Sequence, residues 1–176
     1  KTAAVSPALR GLDLLLAFCG LLVSTPLLFL LVVIGYWDTG YPLFRQIRVG
    51  RHQQPFVLVK FRTMRPETAS VATHLADPQA ITTYGHFLRR TKLDELPQIW
   101  NVLRGEMSLV GPRPERPELV ETFVANIPGF NERLRVSPGF AGLAQIRGKY
   151  ATRPRDKLRY DNLYIARMSP WLDTKI

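Results

Sequence analysis

Asp94 and Glu95 stand side by side in RRTKLDELPQIWNVLRGEMSLVGPRP, residues 89–114, among Arg89, Arg90 and Lys92. The stretch closes on an arginine between prolines, Pro112-Arg113-Pro114. Adjacent acids in so basic a field suit chemistry on a phosphorylated substrate, with a metal ion as third party. A carboxylate is already ionised at neutral pH and is a competent nucleophile toward phosphorus, forming an acyl phosphate. Attack on a diphosphate brings anion to anion, so the oxygens must be neutralised. Magnesium held by one or two carboxylates plus the substrate's phosphates does this, and arginine forks take the remaining charge. Neighbouring helical residues point about 100° apart, so one acid can face phosphorus while the other reaches the metal. The same residues also read as a helix start. Thr91-Lys92-Leu93-Asp94 nearly matches a capping box, Asp94 itself suits an N-cap, and Pro97 fits a first turn. One cap residue suffices, however, so capping accounts for neither Glu95 nor the arginines.

Other enzyme constellations fail. The chain has no GxxxxGK[ST] phosphate loop, no GxGxxG and no GxSxG. His52, His74 and His86 lack zinc-ligand spacing, and Cys19 is the single cysteine, so neither a disulfide nor a thiolate metal site exists. A glycosidase pair needs its carboxylates several ångströms apart across a sugar, which gives adjacent acids no role. The net charge of +10 is concentrated in the polar part: beyond Tyr36, 22 Lys and Arg stand against 13 Asp and Glu, a net +9. That excess calls for anionic partners: nucleic acid, lipid headgroups or phosphorylated substrates.

The 176 residues allow one domain with a real core. One stretch is not soluble in character. Leu14 to Ile34 is 21 residues without a charge, and a bilayer core requires roughly 20. It is too long for a signal peptide and no small-residue cleavage site follows. Ser24-Thr25-Pro26 sits at its midpoint, where proline removes a backbone donor and hydroxyls can satisfy freed carbonyls. Basic residues lie on both sides: Lys1 and Arg10 before, Arg45, Arg48 and Arg51 after. Cytoplasmic flanks are normally the basic ones. A hairpin that enters and leaves by one face explains this, and a straight span with a central proline is the alternative. Asp13, at the edge of the run, suits a polar contact beside Arg10.

The polar part reads as short elements. Leu43–Val49 and Phe56–Arg62 predict a β-hairpin across residues 50–55. Alternation places Phe56, Leu58, Lys60 and Arg62 on one face, with Lys60 and Arg62 about 7 Å apart, a spacing suited to a phosphate. Residues 65–76 read as a loop, and Asp77-Pro78 as a helix start leading toward Leu88. Leu96, Ile99, Trp100 and Leu103 form an amphipathic stripe. Further helices are predicted over Glu118–Asn126 and Lys157–Met168, with Ser169-Pro170 capping another. A Ser137-Pro138-Gly139 turn opens the segment Phe140 to Tyr150. The reading is an α+β chain: a membrane hairpin over 1–36, then a mostly helical globular domain over 37–176 with a small β-hairpin. Short amphipathic helices with basic faces suit a domain lying against a bilayer.

From about Arg10 to Lys175 the chain resembles the bacterial sugar transferases, the monotopic phosphoglycosyl transferases. The most specific stretch is LRRTKLDELPQIWNVLRGEMSLVGPRP. KFRTM at 60–64, PGFAGLAQIRGK at 138–149 and KLRYDNLYI at 157–165 support it, in the family's order and spacing. The resemblance implies a re-entrant helix broken at Ser24 and Pro26, on the cytoplasmic face of the bacterial inner membrane. It implies a ping-pong reaction in which Asp94 attacks a UDP-sugar, UMP leaves, and polyprenyl (undecaprenyl) phosphate takes the sugar phosphate. Glu95 would hold Mg2+. Arg89 and Arg113 match phosphate-binding positions, with Lys60 and Arg62 as weaker ones, and Gln145 and Lys149 fall near the nucleotide. The implied partners are the UDP-sugar, the polyprenyl phosphate and bilayer lipids, with no nucleic acid. The chain departs from the family pattern at Thr83 and His86, where a basic residue is frequent, at Lys149, where arginine is usual, and in having only Arg10 before the hairpin. Some relatives carry further membrane helices upstream. Two rival readings are a membrane-anchored basic binding module and a glycosyltransferase that releases UDP.

Overall fold

In the computed structural model, which describes residues 7–68, 78–148 and 153–176, the apolar run lies within one helix, α1 (Pro7–Thr39). Its 33 residues would measure about 50 Å if straight. The helix runs continuously through Ser24 and Pro26, where the resemblance implies a break. Ser24 Oγ and Thr25 Oγ1 donate to Leu21 O at 3.3 and 2.7 Å, the back-bonding that bends helices. They serve the carbonyl one residue before Leu22 O, the one that Pro26 leaves without its usual donor. Phe18, Leu22, Val23, Phe29 and Leu30 are exposed, as a lipid-facing surface requires.

The chain packs as two units: Lys1–Gly20 with Ile47–Val57 and Ile99–Ile176, and Leu21–Gln46 with Leu58–Gln98. The second unit is centred on Leu31, Phe61 and Leu88, with Leu28, Val32, Tyr84 and Leu93 packed around them. Leu31 therefore belongs to a protein core although the sequence places it in the apolar run. β1 (Leu43–Val49) and β2 (Pro55–Phe61) form the predicted two-stranded sheet. Phe56 and Leu58 are buried and Val57 exposed, as alternation requires, but at Phe61 the opposite face is buried because Leu31 and Leu88 cover it. α2 (Thr83–Thr91) starts later than the sequence predicts: Thr82 is the N-cap, its hydroxyl accepting from Gly85 N at 2.9 Å. Pro78–Ala80 is a separate 3-10 turn, and Asp77 lies outside the described residues, as does His74.

After α2 the chain forms a 3-10 helix over Leu93–Gln98 and then α3 (Ile99–Leu103). The predicted stripe is not the buried face here. Gln98, Asn101 and Val102 are buried while Trp100 is 52% exposed. Asn101 is the reason: its amide donates to Val57 O at 2.8 Å and to Glu106 Oε2 at 2.6 Å, so burying it satisfies a strand carbonyl and a carboxylate together.

In the first unit, β3 (Ser108–Val110) pairs in parallel with β4 (Gly139–Ala141), matching Ser108 to Gly139 and Val110 to Ala141. No alternation signals strands of three residues; glycine does. A Cβ on Gly139 would overlap Gly111 N, and one on Gly111 would come within 2.6 Å of Ser137 O. α4 (Pro117–Asn126) begins one residue before the predicted start, and a 3-10 helix over Phe130–Arg135 follows. Val49, Val120 and Leu134 form one core, and Ile127, Phe130 and Leu158, with Phe123, another. α5 (Leu143–Arg147), α6 (Pro154–Ala166) and α7 (Pro170–Asp173) complete the order, with Ser169 capping α7 as predicted. The N-terminal end of α1 is tied to this unit. Arg10 donates to Leu103 O at 3.3 Å and Met107 O at 3.4 Å, and buried Asp13 accepts from Ser108 Oγ at 2.6 Å and Leu109 N at 3.0 Å.

Candidate active site

Asp94 is the second residue of its 3-10 helix and does not cap it. Lys92 ends α2 in the left-handed region, at φ 60°, and so turns the chain sharply into Leu93. The Asp94 side chain is buried at 8% exposure, and its Oδ1 accepts no hydrogen bond among the described residues. A buried carboxylate oxygen without a donor is costly to leave unsatisfied. Burial raises the carboxyl above its ordinary 3.8, and Glu95 adds to this, while Lys60, Lys92 and Arg89 pull it down. The cations the sequence singles out around the acid pair thus act on Asp94 electrostatically.

Arg89 is placed by packing one turn earlier. A Cβ at Gly85 would collide with Thr63 O, so only glycine lets α2 lie this close to the chain leaving β2. Arg89 lies four residues on, one helical turn, and its Nε donates to Thr63 Oγ1 at 2.9 Å. Thr63 itself is buried. Sequence reasoning missed this partner, although KFRTM contains it. Lys60 Nζ and Arg62 Cζ lie 5.4 and 5.5 Å from the Phe44 ring centre, which puts both cations on one face of the hairpin as predicted. Arg62 also lies over Tyr41 and donates to Tyr41 O at 3.1 Å. Cation–π contact of this kind holds a charge in place without neutralising it.

Arg113 and Gln145 belong to the first unit and are both exposed. Gln145 lies on α5, just past the close approach of β4 to β3. A Cβ on Gly142 would meet Gly111 O at 2.5 Å and Gln145 Oε1 at 3.0 Å, so the two glycine-containing motifs, GPRP and PGFAGLAQ, touch each other. Lys149 lies outside the described residues.

No group of three or more His, Cys, Asp or Glu gathers among the described residues. A magnesium ion needs only one or two protein carboxylates, since it keeps waters and takes substrate phosphate oxygens for its remaining positions, and Glu95 beside Asp94 is compatible with that demand.

The model for bacterial sugar transferases matches residues 5–176. A Bacillus subtilis (strain 168) protein, provisionally named an undecaprenyl-phosphate N-acetylgalactosaminyl 1-phosphate transferase, is 41% identical over 138 residues, 76% of each chain. A Caulobacter vibrioides UDP-glucose:undecaprenyl-phosphate glucose-1-phosphate transferase is 39% identical over 175 residues, covering 95% of this chain and 66% of its own. An Aeromonas hydrophila UDP-N-acetylgalactosamine-undecaprenyl-phosphate N-acetylgalactosaminephosphotransferase is 36% identical over 173 residues, 95% of this chain and 41% of its own. The chain belongs to the bacterial sugar transferase family and is an enzyme of that class. It spans about two fifths of the length of the Aeromonas relative and about three quarters of the Bacillus one. One helix among the described residues, α1, is long and apolar enough to cross a membrane, and with these lipid-carrier relatives it marks a membrane-associated protein.

Proposed function

We propose that the chain transfers a sugar 1-phosphate from a UDP-sugar to polyprenyl (undecaprenyl) phosphate, releasing UMP, as the first membrane step of exopolysaccharide, O-antigen or other glycan assembly. In the first half-reaction an Asp94 oxygen attacks the β-phosphorus. The bond from that phosphorus to the bridging oxygen breaks, and UMP leaves with the bridging oxygen. A sugar phosphate then remains on the Asp94 carboxylate as an acyl phosphate. In the second, a phosphate oxygen of the polyprenyl carrier attacks the same phosphorus and expels Asp94. The product is a polyprenyl-diphosphate-linked sugar and the free carboxylate is restored.

The observation that carries this reading is the Asp94 oxygen, buried without a hydrogen-bond donor among the described residues, beside Glu95 and within the field of Lys60, Lys92 and Arg89. A structural carboxylate would be capped or paired there. A nucleophile must keep its lone pair available. Arg89, Lys60 and Arg62 would take phosphate oxygens; Arg113 and Gln145 match the family's phosphate- and nucleotide-binding positions. Magnesium held by Glu95 and the substrate phosphates would supply neutralisation of the diphosphate charge.

We read residues 1–36 as a re-entrant membrane element and 37–176 as the catalytic domain on the cytoplasmic face of the inner membrane. Support for re-entry comes from polar anchors at both ends of α1. Arg10 and Asp13 bind residues 103–109, while Asp38 accepts from Thr82 Oγ1 at 2.7 Å and Leu31 O from Tyr84 Oη at 2.7 Å. The chain from Tyr84 to Leu103 is charged and has no run able to cross a bilayer. Both ends of α1 would then engage chain on one side of the membrane. A carrier phosphate lies at that surface with its tail in the lipid.

The leaving nucleotide tests the reaction. With a panel of UDP-sugars, magnesium and undecaprenyl phosphate, UMP release supports phosphosugar transfer. Release of UDP would point to simple glycosyl transfer, and no nucleotide release across the panel would favour a binding module.

A further inference from the structure

Arg113 is exposed, yet the backbone around it is fixed at four successive carbonyls. Gly139 N donates to Pro112 O at 2.9 Å, Arg133 Nη2 to Arg113 O at 2.8 Å, Arg48 Nη1 to Pro114 O at 3.2 Å and Val49 N to Glu115 O at 3.0 Å. Pro112 and Pro114 have no N–H and restricted φ, so the segment has few donors of its own and is held from outside.

The two arginines that hold it are unusual in what they bind. Arg133 is 5% exposed, its Nε pairs with Asp161 Oδ2 at 2.9 Å, and its guanidinium lies over the Phe130 ring at 5.0 Å. Asp161, on α6, is 2% exposed. Arg48 has lost enough water that burial, ahead of the nearby charges, lowers its pKa to about 10, so it is still charged at neutral pH. Burying charges is a poor route to stability, and such pairs are better known for fixing one arrangement. Here both guanidinium groups end on main-chain carbonyls of the one segment that carries Arg113.

We infer that Arg48, Arg133 and Asp161 are positioning residues that present the Arg113 guanidinium to a phosphate of the substrate. The inference rests on the phosphate-binding role proposed above for Arg113. The order of action runs from Asp161 through Arg133 to the Arg113 carbonyl. Arginine is required at 133 because its planar fork meets two acceptors at once, a carboxylate on one side and a carbonyl on the other; a lysine has one nitrogen at the end of a flexible stem. The KLRYDNLYI motif thereby gains a part in the site although Asp161 lies in the interior. Placement matters because a small shift of a binding group away from the reacting atoms lowers rate steeply.

The test is a coupling measurement on the full chain in lipid nanodiscs, with UDP as the probe and equilibrium affinity as the readout. Arg113→Ala is expected to weaken UDP binding about tenfold, the loss of one charge-assisted contact. Arg133→Lys should produce most of that loss in the native background. In the Arg113→Ala background it should add less than about twofold, since its effect passes through a side chain already absent. Asp161→Asn and Arg48→Lys should behave alike, and they carry the test should Arg133→Lys fail to fold. An equal loss in both backgrounds would contradict the inference, because it would mark a purely structural role. Unchanged UDP affinity in all folded variants, or no UDP binding by the unaltered chain, would do so too. UMP release is assayed separately: coupling without UMP release would refute the proposed reaction and leave the positioning role standing.

Discussion

Arg89 Nε donates to Thr63 Oγ1 across 2.9 Å, from the last turn of α2 to a buried threonine just past β2. The contact fixes one side of the guanidinium, and in the proposed reaction its remaining nitrogens take an anion. Thr63→Val keeps the shape and removes the acceptor. We expect the KM for the UDP-sugar to rise about three- to tenfold, the range for a hydrogen bond to a charged group, with the melting temperature nearly unchanged. An unchanged KM would show that Arg89 finds its place without Thr63.

Gly85 is what allows that contact. Its missing Cβ lets α2 approach the Thr63 backbone, where any side chain would meet Thr63 O. Gly85→Ala should destabilise the chain by about 1–3 kcal/mol through overpacking and should lower UMP release in the surviving folded fraction. Thermal melting and single-turnover rates measure the two effects. Normal stability would mean that α2 and Thr63 are less closely packed in solution.

Burial and the adjacent Glu95 raise the Asp94 carboxyl above 3.8. The sign follows from proton binding. Above about pH 4 the native state holds this proton more tightly than the unfolded chain, so stability falls as pH rises through the native pKa. The cost is complete above the native pKa and disappears below the unfolded value. Asp94→Asn should therefore raise the melting temperature at pH 7, and the gain should shrink toward pH 4. A melting temperature at pH 7 equal to or below that of the unaltered chain would refute the burial cost.

Re-entry of α1 predicts that its N-terminal end lies on the same side of the membrane as the catalytic residues. Ala8→Cys, made in a Cys19→Ser background, should react with an impermeant maleimide in inside-out vesicles and not in right-side-out ones. Pro26→Ala, which restores a donor for Leu22 O, should move part of the population to the opposite labelling by favouring a straight span. Labelling of Ala8→Cys from outside in the unaltered Pro26 background would contradict re-entry.

What the sequence made legible divides along physical lines. The β-hairpin, α4 and the Ser169 cap follow from local pattern and sit within a residue of their predicted ends. The acid pair and its cations were legible too, because charge in an apolar or structured setting needs a reason. α2 began late because Thr82, whose hydroxyl caps Gly85 N, starts the helix after a separate 3-10 turn. The stripe on α3 misled because Asn101 is buried to satisfy Val57 O and Glu106, partners 44 and 5 residues away that no periodicity encodes. β3 and β4 are too short to alternate, and only Gly111 and Gly139 hint that two backbones touch. The contacts that Arg48, Arg133 and Asp161 make were hidden for the same reason. On a basic surface an arginine looks like any other until its partner is found in space.

The central claim is that Asp94 carries the sugar phosphate between the two substrates. Incubation of the full chain with a UDP-sugar accepted in the UMP-release assay, in the presence of magnesium and absence of polyprenyl phosphate, should let the first half-reaction accumulate. Intact-mass and peptide mass spectrometry on the rapidly quenched protein should find one added sugar phosphate on Asp94, removed on addition of polyprenyl phosphate and absent from Asp94→Asn. An adduct that persists in Asp94→Asn, or steady UMP release with no adduct at any quench time, would contradict the account.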